Sequence, residues 1–98
     1  MLFRKEGYEV KSYRFIITGR VQGVYYRKNV QANAKKEKFS GYVKNLDDGT
    51  VEAGVTCNVT ELEKFIDILQ KGSSSSVVED IKQFESNEVV NEDFEIRY

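Results

Sequence analysis

A short segment with two glycines and an arginine could bind a phosphate group. Gly19 and Gly23 lie four positions apart, and Arg27 follows at the same interval. Glycine lets the backbone adopt conformations in which successive N–H groups point into one concavity at a helix N-terminus, which favours an anion. The planar guanidinium of Arg27 could hold two phosphate oxygens together. The alternative is that the glycines only shape a tight turn and that Arg27 lies on the solvated face of a helix.

The chain lacks the residues that other known kinds of phosphate site require. Gly72 is followed by serines and the Gly19 loop has no lysine in the required place, so there is no P-loop. A cysteine-dependent phosphatase needs an arginine shortly after its nucleophile, whereas Cys57 is followed by Asn-Val-Thr-Glu. The adjacent Asp47 and Asp48 are typical of a turn rather than of an aspartyl-phosphate site. The chain has no histidine, the commonest metal ligand and general base, and we expect neither a metal nor a cofactor.

The glycine segment is flanked by a predicted strand and a predicted helix. Residues 13–18 alternate roughly between apolar and polar and are rich in aromatic and β-branched types, which predicts a core strand. Tyr26, Val30 and Ala34 then recur at helical spacing in a stretch that runs to about Lys38. The predicted order is therefore strand, glycine loop, helix.

An antiparallel hairpin is predicted next. Two strand-like segments, 42–45 and 50–56, are joined by a turn in which Asp48-Gly49 favours a tight hairpin, because both positions tolerate positive φ. Alternate residues of the second arm share one face, which groups Cys57 with Val51, Ala53 and Val55. We therefore interpret Cys57 as a small core residue rather than a reactive thiol.

A second helix, a connector and two strands complete the pattern. Thr60 to Glu63 fits a capping box, and an apolar stripe then runs to a helix stop at Gly72. The stripe consists of Leu62, Phe65, Ile66 and Leu69. Serines 73–76 suggest a flexible polar connector, and residues 77–84 and 94–98 are strand-like. In the last strand Phe94, Ile96 and Tyr98 alternate along the chain.

This order of elements predicts an α+β fold. A β-α-β-β-α-β chain with a short fifth strand at its end is typical of the ferredoxin-like sandwich, an antiparallel sheet with two helices on one face. Because that fold supports many functions, it does not by itself identify one.

Two longer motifs resemble those of a known family. Residues 19–27 are Gly-Arg-Val-Gln-Gly-Val-Tyr-Tyr-Arg, and residues 41–52 are Gly-Tyr-Val-Lys-Asn-Leu-Asp-Asp-Gly-Thr-Val-Glu. They resemble the acylphosphatase signatures Gly-x-Val-Gln-Gly-Val-x-Phe-Arg and Gly-x-Val-x-Asn-x-x-Asp-Gly-x-Val-Glu, at the family's intervals. The resemblance covers residues 13–98 as one acylphosphatase-like domain and leaves 1–12 as an N-terminal extension. Tyr26 stands where the family usually has Phe, and serines follow Gly72 where prolines are frequent.

The resemblance implies a hydrolase that cleaves the carboxyl-phosphate bond of acyl phosphates without a metal. It implies that Arg27 and Asn45 are the catalytic residues, with Arg27 binding the substrate phosphate and Asn45 positioning the attacking water. The loop N–H groups that would complete the phosphate site belong to Gln22, Gly23, Val24, Tyr25, Tyr26 and Arg27. Since the departing carboxylate is a weak base, the enzyme needs no general acid, and the missing histidine is no obstacle.

The bulk properties agree with a small cytoplasmic hydrolase. A chain of 98 residues fits one domain, and its net charge of −1 would attract neither nucleic acid nor anionic lipid. No segment approaches the roughly 20 apolar residues of a membrane span, no signal peptide is evident, and the lone cysteine suits a reducing compartment. We expect a cytoplasmic monomer that binds an acyl phosphate, with inorganic phosphate as product and inhibitor, and no nucleic acid or membrane.

Two other functions are the alternatives to this one, and the sequence supports them less. An RNA-binding ferredoxin-like module would need a strand of interleaved basic and aromatic residues, which 42–46 does not provide. An acylphosphatase-like domain could instead serve the transfer chemistry of a larger enzyme. Hydrolysis of a simple acyl phosphate by the isolated chain would distinguish these possibilities.

Overall fold

The structure, a computed structural model, describes residues 9–98. The first eight residues of the predicted extension 1–12 lie outside this range, and residues 10–12 already belong to the first strand. The elements are β1 (Val10–Arg20), α1 (Tyr26–Lys36), β2 (Ser40–Asn45), β3 (Val51–Asn58), a 3₁₀ turn (Val59–Glu61), α2 (Leu62–Lys71), β4 (Val77–Ser86) and β5 (Glu95–Arg97). Neither helix in this range is long and apolar enough to cross a membrane.

The strands form one sheet in the order β4-β1-β3-β2-β5. The pairs β1–β4, β1–β3 and β2–β3 are antiparallel, which confirms the predicted ferredoxin-like arrangement. The short fifth strand differs from the expectation of a wholly antiparallel sheet, because β5 pairs in parallel with β2. The reason is topological: β4 ends on one edge of the sheet, and the chain then crosses to the opposite edge before β5 begins. As a result β1, β2 and β5 all point toward the same end of the sheet.

The hydrophobic core lies between the two helices and one face of the sheet. Phe65 of α2 contacts three aromatic rings at centroid distances of 5.3 to 5.9 Å, from Phe15, Phe39 and Phe94. The predicted inward faces of α1 and β3 are buried, including Cys57 at 8% exposure. Burial raises the pKa of the Cys57 thiol to about 11, so the thiol is protonated at neutral pH, as suits a core residue.

The hairpin turn differs from the predicted tight turn. Gly49 has a φ of 94°, whereas Asp48 does not adopt positive φ. The Gly49 N–H donates to the Leu46 carbonyl at 3.2 Å, and the Leu46 N–H donates to the Thr50 carbonyl at 2.9 Å. Asp48 stabilises the turn through its carboxylate, which accepts from the Thr50 N–H and hydroxyl at 3.0 and 2.6 Å. These bonds lower the pKa of the Asp48 carboxyl, and they support a structural role for this residue.

The predicted capping box at Thr60 is wrong. Asn58, the last residue of β3, is the capping residue, and its Oδ1 accepts from the N–H and the hydroxyl of Thr60, each at 3.0 Å. The chain then forms a 3₁₀ turn before α2 begins at Leu62 without a side-chain cap at Glu61. The Asn58 side chain accepts from the Thr60 N–H, whereas a cap at Thr60 would act on N–H groups that come later in the chain.

The buried Tyr26 hydroxyl donates to the Leu69 carbonyl at 2.7 Å. Leu69 lies in the last turn of α2, where carbonyl groups lack partners within the helix. Burial raises the pKa of Tyr26 far above its ordinary value, so the hydroxyl remains a donor. Tyr26, at the position where the similar motif usually has Phe, thus provides a hydrogen-bond donor for a carbonyl group at the end of α2.

We expect Tyr26→Phe to lower the free energy of unfolding by about 1–3 kcal/mol, because the Leu69 carbonyl stays buried without its donor. Urea denaturation measures this change. The matched control is Tyr25→Phe, since the Tyr25 ring is 75% exposed, and it should change stability by less than about 0.5 kcal/mol. Equal stability of Tyr26→Phe and the wild type would contradict this role for the hydroxyl.

Candidate active site

A cavity of about 410 Å³ opens where β1, β2 and β5 end and α1 begins. Its lining includes Gly23, Tyr25, Arg27, Asn45, Ile96 and Tyr98. The two motifs of the sequence therefore meet in one place, because the strands that carry them run in the same direction on either side of β3. The cavity brings Arg27 and Asn45 together, as the sequence predicts.

The loop from Gly19 to Arg27 needs both of its glycines. Gly19 has a φ of +135°, and a Cβ there would lie 2.1 Å from the Val77 carbonyl oxygen, so a larger residue would push β4 away. Gly23 has a φ of +72°, and a Cβ at this position would have no neighbouring atom within 4 Å, so glycine is required for its conformation rather than for space. Tyr25 also lies in the left-handed region, with φ 62° and ψ 20°.

These conformations leave a row of backbone donors. Within residues 9–98, no hydrogen bond joins a backbone N–H of residues 22–27 to a protein acceptor. Among the six predicted phosphate-binding residues, Gly23, Tyr25, Tyr26 and Arg27 line the cavity, whereas Gln22 and Val24 do not. Free N–H groups at the start of a helix attract anions, and the loop therefore has the donors that a phosphate needs.

Arg27 lies beside the cavity and not on the outer face of α1. Its Nη1 is 3.4 Å from the Arg97 carbonyl oxygen, and its Cζ is 5.1 Å from the centre of the Tyr98 ring. No carboxylate in the part of the chain that the structure describes forms an ion pair with Arg27. The guanidinium is oriented by β5, and its charge is available to an anionic ligand.

Asn45 is the last residue of β2, and its side chain reaches the cavity. Its Oδ1 is buried and has no hydrogen-bond partner among residues 9–98. A buried amide oxygen without a partner is costly, and such groups are typical of functional sites where water or a ligand completes the bond. The Asn45 Oδ1 is therefore available to accept a hydrogen bond from a water molecule in the cavity.

Gln22 contributes its side chain in a way that the sequence did not reveal. Its Nε2 donates to the carbonyl oxygens of Leu46 and Thr50, both at 2.8 Å. These two carbonyls flank the turn that follows Asn45. Gln22 thus joins the loop that leads to Arg27 to the hairpin that follows Asn45.

We expect Gln22→Ala to lower kcat/KM for an acyl phosphate by about tenfold, because it removes two hydrogen bonds that hold the two halves of the site together. Steady-state kinetics together with thermal unfolding measure the effect. The exposed Gln70 on α2 supplies a control, Gln70→Ala, that should leave kcat/KM unchanged. Full activity in Gln22→Ala would show that the loop keeps its position without this side chain.

Other contacts at the site were also missed by sequence analysis. The backbone of β5 and the exposed Tyr98 ring contact Arg27, although 94–98 is interpreted from the sequence only as a strand. The serine connector, predicted to be flexible, is hydrogen-bonded: Ser76 Oγ bonds to the N–H and the carbonyl of Ser73, both at 2.9 Å. No group of three or more Cys, Asp or Glu side chains within 9–98 is arranged to hold a metal ion.

Comparison with known proteins identifies the family. The acylphosphatase family model matches residues 13–96. An acylphosphatase of Bacillus licheniformis is 47% identical over 77 residues, which cover 79% of this chain and 86% of the relative. The crystal structure of acylphosphatase from Bacillus subtilis superposes with a TM-score of 0.82 and 41% identity, over 92% of this chain and all of that one.

A larger protein contains a similar domain. Full-length HypF, in a phosphate- and nucleotide-bound form, matches with a TM-score of 0.77 and 26% identity, over 92% of this chain but only 12% of HypF. These matches confirm the resemblance stated from the two motifs and the predicted class of enzyme. The chain belongs to the acylphosphatase family, whose members are hydrolases that act on acid anhydrides.

Proposed function

We propose that this chain hydrolyses acyl phosphates to a carboxylate and inorganic phosphate, by in-line attack of water and without a metal ion. The observation that carries the proposal is the meeting of three groups in one cavity. These groups are the guanidinium of Arg27, the free N–H groups of the loop and the Asn45 Oδ1, which has no partner within residues 9–98.

The phosphoryl group is held by Arg27 and the loop. The substrate carries its negative charge on the phosphoryl oxygens, and donors already in position can stabilise that charge without rearrangement. The fork of Arg27 binds two oxygens, and the backbone N–H groups of residues 22–27 surround the group from the helix N-terminus. Family membership supports this assignment, as does the lack of a carboxylate partner for Arg27 among residues 9–98.

Asn45 positions the nucleophile. Its Oδ1 accepts a hydrogen bond from a water, which places the water oxygen opposite the bond between phosphorus and the acyl oxygen. A new bond forms between that water and phosphorus, the bond to the acyl oxygen breaks, and its electron pair leaves with the carboxylate. Among the described residues, those that line the cavity have no carboxylate, thiol or imidazole side chain, so the water's proton passes to a phosphoryl oxygen of the substrate.

The experiment is hydrolysis of benzoyl phosphate by the purified protein in excess chelator, with inorganic phosphate as a competitive inhibitor. We expect turnover that the chelator does not reduce and that shows no steep dependence on a side-chain pKa near neutrality. Loss of turnover with chelator would contradict the metal-independent mechanism. Absence of turnover in a folded protein would favour an anion-binding domain that works with a larger enzyme.

The remaining expectations belong to the same proposal. A monomer in the cytoplasm, acting on a small acyl phosphate, needs no nucleic acid or membrane partner. A shallow site that binds mainly the phosphate would distinguish poorly between acyl groups.

A further inference from the structure

Ser73 contacts the phosphate loop from outside the cavity. Its Oγ donates to the carbonyl oxygen of Val24 at 2.6 Å, and Ser73 itself is held by the two bonds to Ser76. Val24 is partly buried against the core and does not line the cavity. Its two neighbours, Gly23 and Tyr25, line the cavity. The Val24 carbonyl therefore points away from the cavity, toward the connector that joins α2 to β4.

The orientation of this carbonyl determines the direction of the next N–H group. The peptide between Val24 and Tyr25 is trans and planar, so its C=O and N–H point in opposite directions. With the carbonyl bound to Ser73, the Tyr25 N–H points toward the side where the cavity lies. If the peptide turned over, a carbonyl oxygen would face the phosphate and repel it.

The observed orientation is also strained. Tyr25 has a φ of 62°, a region that residues other than glycine rarely adopt. Reversal of the peptide between Val24 and Tyr25 changes φ of Tyr25 by about half a turn and would return it to the favoured negative region. The same rotation that relieves the strain thus removes a donor from the phosphate site, and something must oppose it.

We propose that Ser73 is a positioning residue whose hydroxyl holds this peptide with the Tyr25 N–H directed at the substrate phosphate. The inference rests on the proposed function, in which the loop binds phosphate, and adds a residue from outside both sequence motifs. The hydrogen bond stabilises the strained form of the loop before substrate arrives, so that the donor need not rotate on binding.

The serine connector provides its own controls. We expect Ser73→Ala to raise the inhibition constant of inorganic phosphate about tenfold and to lower kcat/KM for benzoyl phosphate similarly. Ser73→Thr keeps a hydroxyl and should restore much of both. Ser74→Ala, at an exposed position, should match the wild type. Because glycine adopts positive φ freely, Tyr25→Gly in the Ser73→Ala background should recover part of the lost phosphate affinity.

Amide NMR of the wild type gives a second test that needs no variant. Addition of inorganic phosphate should shift the Tyr25 N–H resonance strongly, and an unshifted resonance in a protein that binds phosphate would overturn the proposal. Unchanged phosphate inhibition in a folded Ser73→Ala variant would also overturn it. Failure of the proposed function looks different, because the wild type would then not hydrolyse benzoyl phosphate, whereas the phosphate affinity of Ser73→Ala and the Tyr25 N–H resonance can still be measured by NMR.

Discussion

Arg27→Ala is expected to lower kcat/KM for benzoyl phosphate by about 10³ or more, the range in which single arginines contribute to phosphoryl transfer. The guanidinium is the charged group that the first motif and the fold direct at the cavity. It is held there by the Arg97 carbonyl of β5 and by the ring of Tyr98, the next residue. If Arg27 binds the phosphoryl group in the ground state as well as in the transition state, as we propose, the inhibition constant of inorganic phosphate should rise too.

Two further variants separate charge from geometry. Arg27→Lys should restore only a small part of the activity, because a point charge cannot hold two oxygens as the planar fork does. The control is Arg20→Ala, at an exposed position at the end of β1 in the same motif, which should keep normal kinetics. An unchanged phosphate inhibition constant in Arg27→Ala would refute its assigned role.

Asn45→Ala is expected to lower kcat by about a hundredfold or more, which corresponds to ~3 kcal/mol for one preorganised group. KM and phosphate inhibition should change little, because in the proposed mechanism Asn45 orients water, whereas Arg27 and the loop bind phosphate. Stability should not fall, since the buried Oδ1 has no protein partner to lose within residues 9–98. Steady-state kinetics and thermal unfolding of the same sample measure both effects.

The two variants therefore differ in a diagnostic way. Of these two, Asn45→Ala is expected to lose turnover with normal phosphate inhibition, and Arg27→Ala is expected to lose both. If Asn45→Ala kept its kcat, another group would have to hold the water. If it lost phosphate inhibition instead, Asn45 would belong to the phosphate site.

The parts of the site that lie close together in sequence were predictable. The glycine loop and the start of α1 form one continuous motif, and the hairpin that presents Asn45 follows from alternating strands around a Gly-containing turn. Local rules describe such segments because turns, periodicity and helix starts depend on neighbouring residues. The buried positions of α1 followed from helical spacing for the same reason.

Contacts that join distant segments were not predictable. The position of β5 depends on the chain crossing between residues 87 and 94, which periodicity does not describe. Arg97 fixes this strand by packing over the Tyr42 ring at 3.9 Å and by ion pairs with Glu88 and Glu95 at 2.9 and 2.7 Å. These carboxylates raise the pKa of Arg97. These contacts hold the Arg97 carbonyl oxygen where it can accept a hydrogen bond from the Arg27 guanidinium.

The remaining differences between the sequence prediction and the structure involve short polar side chains. Asn58 is the capping residue where the sequence pattern favours Thr60, and Ser73 and Ser76 form a hydrogen-bonded connector where the run of serines predicts a flexible one. Asn and Ser can satisfy several nearby backbone groups, and which one they choose depends on the three-dimensional position of the acceptor. A segment rich in Asn and Ser therefore indicates a loop, but its sequence does not show which backbone groups those side chains will bind.

Hydrolysis of benzoyl phosphate in ¹⁸O-enriched water would identify the atom that the water attacks. If Arg27 and the loop hold the phosphoryl group while Asn45 places water in line with the leaving oxygen, the label appears in inorganic phosphate and the benzoate remains unlabelled. Label in the benzoate would mean attack at the acyl carbon, and it would contradict a site built around in-line displacement at phosphorus.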